Sequence, residues 1–126
     1  MKRLTKQLLV RSQEAFILAL EIYNKPTIRY RIEGFCFFFT NAWELLLKAK
    51  ILENEKKETA IYYKKVRNQK RRSLSLRDCL KKTFPNEKDP LRKNVEDIVE
   101  IRDAATHLII EELESVYSGL FQAGVC

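Results

Sequence analysis

The stretch EIRDAATHLI, residues 100–109, places a guanidinium, a carboxylate and an imidazole close together: Arg102, Asp103 and His107. His107 is the single histidine of the chain. Imidazole titrates near neutrality and so can both take and give a proton, and a guanidinium offers an oxyanion a planar fork of donors. The question is whether these residues are ordinary helix surface or the acid/base and the cation of an active site. On a helix turning about 100° per residue, His107 lies about 140° around from Arg102. Leu91, Val95, Ile98, Ala105 and Ile109 define an apolar arc on that wheel, and Arg102 falls inside it. His107 falls among Glu96, Glu100 and Asp103, with Asp103 four residues before it and within side-chain reach.

Two consequences follow from this geometry. A guanidinium on a buried arc needs a partner, because an uncompensated buried charge is expensive. One straight helix also cannot aim both side chains at a single phosphate, so the helix bends or two copies of the chain combine their motifs. The plainer alternative is a solvated histidine on a polar face and a snorkelling or interface arginine. A pattern this short also arises by chance.

A second cluster is the basic run Lys64, Lys65, Arg67, Lys70, Arg71 and Arg72, preceded by Tyr62 and Tyr63. Such a run suits phosphate contact, and the tyrosines suit stacking on unpaired bases. The alternative is a solvated loop whose tyrosines cover the edge of the core. Asn41, Glu44 and Lys48 share one side of the second helix at spacings of three and four. They pair with Arg102, brace the motif helix, or form an internal polar network. A supporting role is expected for Asn41 and Glu44, and a structural one for Lys48. Trp43 belongs to the core.

The elements that position these residues read as helices. The chain has 126 residues, of which only three are Gly and three Pro, and few turn residues favour long helices over many strands. Leu8, Ser12, Ala15, Phe16, Ala19, Ile22 and Tyr23 make one face of a first helix over 5–23, stopped by Asn24-Lys25-Pro26. A second helix over 28–53, with Thr27 as candidate cap, is apolar nearly all round and is therefore expected at the centre. Residues 54–74 read as a loop or a small two-stranded excursion. Ser75 and Asp78 form a capping-box variant for a short third helix ending before Pro85. Asp89-Pro90 opens a fourth helix running to about Ile109, and EELESVYSGLFQAGVC is a fifth periodic segment through Leu113, Val116, Tyr117 and Leu120. The chain is expected to be one domain, 1–126, of a longer protein, since it ends without a polar tail.

Lys and Arg number 24 against 17 Asp and Glu, a net charge of +7 that points to a polyanionic partner. Cys36, Cys79 and Cys126 lack C-x-x-C spacing, and one histidine cannot complete a finger-type zinc site. No metal and no cofactor are expected. An odd cysteine count suits the reducing cytoplasm. Arg11, Gln13 and Glu14 interrupt the N-terminal apolar stretch, and Glu33, Glu44 and Lys48 interrupt the second helix, so neither a signal peptide nor a membrane span is expected. A membrane-surface role for the basic run ranks last, for want of an amphipathic basic helix.

The spacing Arg-x4-His near the end of the last long helix of a helical bundle resembles the HEPN superfamily. So does NAWELLLKAKIL, which is similar to the A-x-E-L-x-L-K-A signature of the second HEPN helix, with Glu44 and Lys48 at its Glu and Lys positions. Residues 12–52 further resemble a bacterial family labelled only as a domain of unknown function. The resemblance covers nearly the whole chain. It implies an all-α, antiparallel four-to-five-helix bundle, here with a small basic loop or β-hairpin excursion between helices 2 and 3. It also implies a homodimer whose two Arg–His motifs meet in an interface cleft, and metal-independent endoribonuclease activity of a toxin–antitoxin or anti-phage type. Under that reading His107 moves the proton, Arg102 holds the phosphate and Asp103 tunes the imidazole, unless Asp103 is a plain helix-face carboxylate. RNA is then the partner, beside an antitoxin or regulatory domain. A catalytically silent module that dimerises or binds nucleic acid is the alternative. The chain departs from the family pattern in carrying Asp where Asn is frequent, and in its long basic insertion.

Overall fold

The computed structural model describes the backbone of residues 2–125 and the side chains of residues 2–107. Among the described residues four α-helices follow in order: α1 (Arg3–Tyr23), α2 (Arg31–Glu55), α3 (Leu76–Thr83) and α4 (Pro90–Val125), with a 3-10 turn at Glu58–Ile61. The class is all-α, as composition and periodicity predict. One difference concerns helix count, one the form of the excursion and one a cap. The fifth periodic segment is not a separate helix, because α4 runs unbroken to Val125; no Gly or Pro interrupts residues 91–118 to stop it. The excursion forms no strand among the described residues, only an isolated antiparallel bridge between Tyr62 and Ser73. Thr27 does not cap α2, which begins only after Tyr30; residues 24–30 are taken up by the turn. The expected apolar positions Ile109, Leu113, Val116, Tyr117 and Leu120 lie outside the described side chains.

α1 and α2 form an antiparallel hairpin. At one end Lys2 Nζ donates to the Lys56 carbonyl at 3.0 Å, and at the other the Tyr23 and Phe35 rings meet. The buried line of α1 is Thr5, Ser12, Ala15 and Ala19. Such small side chains let the two backbones approach, and the Ser12 hydroxyl donates across the seam to the Ala42 carbonyl at 2.8 Å. Ala42 itself is fully buried. Phe16, Phe39 and Trp43 pack edge to face beside this seam, which places Trp43 against the core as expected.

α2 is central: it touches α1, the 3-10 turn, α3 and α4. Leu47, Ile51 and Leu52 of α2 are packed with Ala60, Ile61, Leu76, Cys79 and Leu80, and with Val95 and Val99 of α4. Ser75 caps α3 by accepting from the Asp78 amide at 3.2 Å. Asp89 caps α4 by accepting from the Leu91 amide at 2.9 Å, with Pro90 as the first helical residue. No described helix is long and apolar enough to cross a membrane.

The packing ranks the core substitutions. Leu80→Ala, at a fully buried position, is expected to lower the unfolding free energy by about 2–5 kcal/mol in urea titrations. Leu20→Ala, at a position 53% exposed, is expected to change it by no more than about 0.5 kcal/mol.

Candidate functional site

The buried stripe of α4 runs through Arg92, Val95 and Val99, and Arg102 continues it at the same alternation of three and four residues. The stripe is rotated from the arc expected from sequence, since Leu91 is exposed. Below Arg102 the stripe is sealed against α2; at Arg102 it emerges, and the side chain is 28% exposed. Arg92, at the other end, is fully enclosed and satisfied internally by Glu96 and by the carbonyls of Phe84 and Pro85, where it secures the turn after α3.

Arg102 has the partners that a guanidinium in this position requires. Its Nε and Nη2 donate to Asp103 Oδ1 at 3.1 and 2.9 Å, and its Nη1 reaches Thr40 Oγ1 on α2 at 3.4 Å. Thr40 is fully buried, and its hydroxyl is anchored on the Cys36 carbonyl at 2.8 Å. The second Asp103 oxygen accepts from Nη1 of Arg77, on α3, at 3.0 Å. Asp103 therefore sits between two guanidinium groups and ties α3 to α4. Partial burial by itself would raise its carboxyl, but the hydrogen bonds and charges of Arg102 and Arg77 outweigh burial and hold it below the ordinary value of 3.8. The imidazole of His107 lies on the exposed part of α4, five residues beyond Arg102.

Glu44 does not reach for Arg102; it pairs with Lys48 at 3.1 Å. Lys48 is buried, and its ammonium also donates to Ser73 Oγ at 3.2 Å, which pins the return of the basic excursion onto α2. Asn41 is exposed on α2, next to Thr40.

The six basic residues Lys64, Lys65, Arg67, Lys70, Arg71 and Arg72 are all exposed. The ribbon that carries them is closed by two backbone bonds, Tyr63 N–H to Arg72 O and Leu74 N–H to Ile61 O, both 2.8 Å. Its tip turns at Asn68, which takes the left-handed conformation with φ 65° that asparagine tolerates. Lys65, Asn68, Gln69, Lys70 and Arg71 line an open hollow there. The tyrosines are less available for stacking than the sequence suggests. Arg71 lies over the Tyr62 ring and Arg72 over the Tyr63 ring, each 5.7 Å from the centroid. The Tyr63 hydroxyl is bound to Asp78 and accepts from the Ser75 amide, so it anchors the ribbon to α3.

Other chemistry is poorly supported. Burial pushes the Cys79 thiol up to about 11, overriding the nearby ammoniums, and burial and Glu33 raise Cys36, so neither is a nucleophile at neutral pH. An apolar groove at the hairpin end, lined by Ile22, Ile28, Tyr30, Gly34, Phe37 and Phe38, carries no carboxylate, imidazole or guanidinium. Among the described residues no group of three or more His, Cys, Asp or Glu is placed to hold a metal ion.

Sequence reasoning missed Arg77 and Thr40. Arg77 had a signal: a cation in the first turn of a helix opposes the helix dipole and needs an anionic partner. Thr40 had none, since only the crossing of α2 and α4 brings it to Arg102.

One family model matches residues 7–126, and its description is Domain of unknown function (DUF3644). No curated protein and no solved structure matches the chain.

Asp103 titrates below its unfolded value, so its contribution to stability is present above that value and is lost as pH falls through the folded one. Asp103→Asn is therefore expected to be less stable than wild type at pH 7 by up to about 1 kcal/mol, the side chain being half exposed. The gap should narrow progressively as pH falls below about 4 in thermal melts followed by circular dichroism.

Proposed function

The chain belongs to the family described as Domain of unknown function (DUF3644), and from its own residues we propose that it is a metal-independent endoribonuclease of HEPN type, acting as a homodimer in a toxin–antitoxin or anti-phage setting. The observation that carries this reading is Arg102. It is held at the point where the α4 stripe opens to solvent, braced by Thr40, and is followed five residues later by an exposed histidine. Arg92, by contrast, is enclosed by carbonyls and one carboxylate.

The two side chains diverge by about 140° on one rod, so a single copy does not aim both at one phosphate. A second copy supplies the complement. Phe37, 55% exposed, stands three residues before Thr40 on α2 and offers apolar surface for that copy to bury. In the reaction, the 2′-hydroxyl oxygen of RNA attacks the adjacent phosphorus and the bond to the 5′-oxygen breaks. His107 takes the proton from the 2′-hydroxyl, and a protonated imidazole gives one to the departing 5′-oxygen. Arg102 offsets the charge that builds on the phosphate oxygens. The products are a 2′,3′-cyclic phosphate and a 5′-hydroxyl. The exposed ribbon of Lys64, Lys65, Arg67, Lys70, Arg71 and Arg72 holds the RNA backbone at a distance from the chemistry.

A specific observation favours a second reading, a silent module that binds nucleic acid or dimerises. Asp103 already occupies the fork of Arg102, and a satisfied guanidinium needs no phosphate.

Purified protein incubated with RNA and a chelator separates the two. Cleavage is expected from wild type. His107→Ala should slow it on the order of a hundredfold or more, and Arg102→Lys should not restore it, since lysine lacks the fork. Wild-type RNA left intact, or variants that cut equally well, would overturn the enzyme reading. Replacing Lys64, Lys65 and Arg67 with Gln should weaken RNA binding and flatten its salt dependence by about 0.7 in log–log slope per lost phosphate contact.

A further inference from the structure

Arg77 has no role in the mechanism above, yet it shares a carboxylate with Arg102. We propose that Arg77 and Arg102 form a two-guanidinium clamp for one phosphodiester of the bound strand, and that Asp103 is the resident anion that gives up this position to the phosphate. The identity of the ligand as RNA rests on the ribonuclease reading.

The contacts match this exchange. One Asp103 oxygen takes Nε and Nη2 of Arg102 at 3.1 and 2.9 Å, and the other takes Nη1 of Arg77 at 3.0 Å. A phosphodiester presents two non-bridging oxygens in the same forked pattern, which guanidinium groups recognise through paired donors. Charge is conserved in the exchange: one monoanion, the phosphodiester, replaces another, the Asp103 carboxylate, between the same two guanidinium groups.

The Arg102 half of the clamp has a support besides Asp103. Arg102 is held from behind by Thr40, a buried hydroxyl anchored on the Cys36 carbonyl. Arg77 stands in the first turn of α3, where the helix dipole disfavours a cation unless an anion lies beside it. The side chains of Arg77 and Asp103 are 49% and 44% exposed, so a strand can reach them and the carboxylate can rotate out to solvent. Four residues separate Arg72, the last basic residue of the ribbon, from Arg77, and the Tyr63–Asp78 and Tyr63–Ser75 contacts tie the ribbon to the same end of α3. A strand tracked by the ribbon is thereby led to the clamp.

The test uses the full chain and an RNA oligonucleotide with every 2′-hydroxyl methylated, which binds but offers no internal nucleophile. Affinity is read by fluorescence anisotropy across a salt series. Asp103→Asn should tighten binding by about three- to tenfold, because it frees both forks. Glu14→Gln, which removes the same charge from an exposed pair on α1, should tighten it far less. Arg77→Ala should weaken binding by about threefold or more and lower the salt slope by about 0.7, and Arg77→Lys should recover the slope without the full affinity. A gain in Asp103→Asn no larger than that in Glu14→Gln, or an Arg77→Ala protein that binds as wild type does, overturns the clamp. Should Asp103→Asn lose its folded circular dichroism spectrum, the two Arg77 variants decide. Cleavage of unmodified RNA is scored separately. Cleavage with Arg77→Ala binding unchanged removes the clamp and leaves the ribonuclease reading; the expected binding pattern without cleavage keeps the clamp and removes that reading.

Discussion

The enclosure of the C-terminal half of α2 organises the molecule. Leu47, Ile51 and Leu52 are covered by the 3-10 turn, by α3 and by the first half of α4, while α1 lies along the length of the same helix. Burying these faces is the main favourable term available to a chain of this size. It also sets where polar groups are tolerated. Lys48 lies inside this packed region, and its ammonium is tolerated because Glu44 and Ser73 both reach it. Removing Glu44 leaves an unpaired charge in a dry place, which costs more than the pair contributes.

That same enclosure decides what the excursion is. Residues 62–74 contain too little apolar surface to form a layer of their own, and the backbone closes the ribbon through just the two bonds that make up the Tyr62–Ser73 bridge. Its position comes from outside: Lys48 grips Ser73, and Asp78 and Ser75 grip Tyr63. A positively charged ribbon is thus fastened at its base and open at its tip, which suits a surface that tracks a polyanion without being reshaped by it.

At the other end of the buried stripe, the charge cluster Arg77–Asp103–Arg102 joins α3 to α4 where packing stops. Such a junction has two properties at once. It is strong enough to order the side chains, because each carboxylate oxygen has its own guanidinium. It is also wet enough to exchange one anion for another, because two of the three side chains are nearly half exposed. Membership in a family described as a domain of unknown function supplies no activity, so the chemistry of this junction and of the neighbouring imidazole carries the functional reading.

Much of this was legible in the residues. Periodicity and the scarcity of Gly and Pro determined a helical chain, the Asn24–Pro26 stop, the Ser75 and Asp89 caps and the central place of α2, because these follow from local backbone chemistry and from burial of one face. The angular separation of Arg102 and His107 follows from helix geometry alone. Other features did not: the unbroken length of α4, the shift of the buried stripe away from Leu91, and the late start of α2 all depend on which neighbours pack where. Only tertiary structure brought Ser73 to Lys48 and Thr40 and Arg77 to Arg102, and set Asp103 between two guanidinium groups. Partners separated by 26 and 62 positions in the chain leave no periodic trace in it, and side-chain electrostatics acts through space, over distances that only the crossing of helices sets.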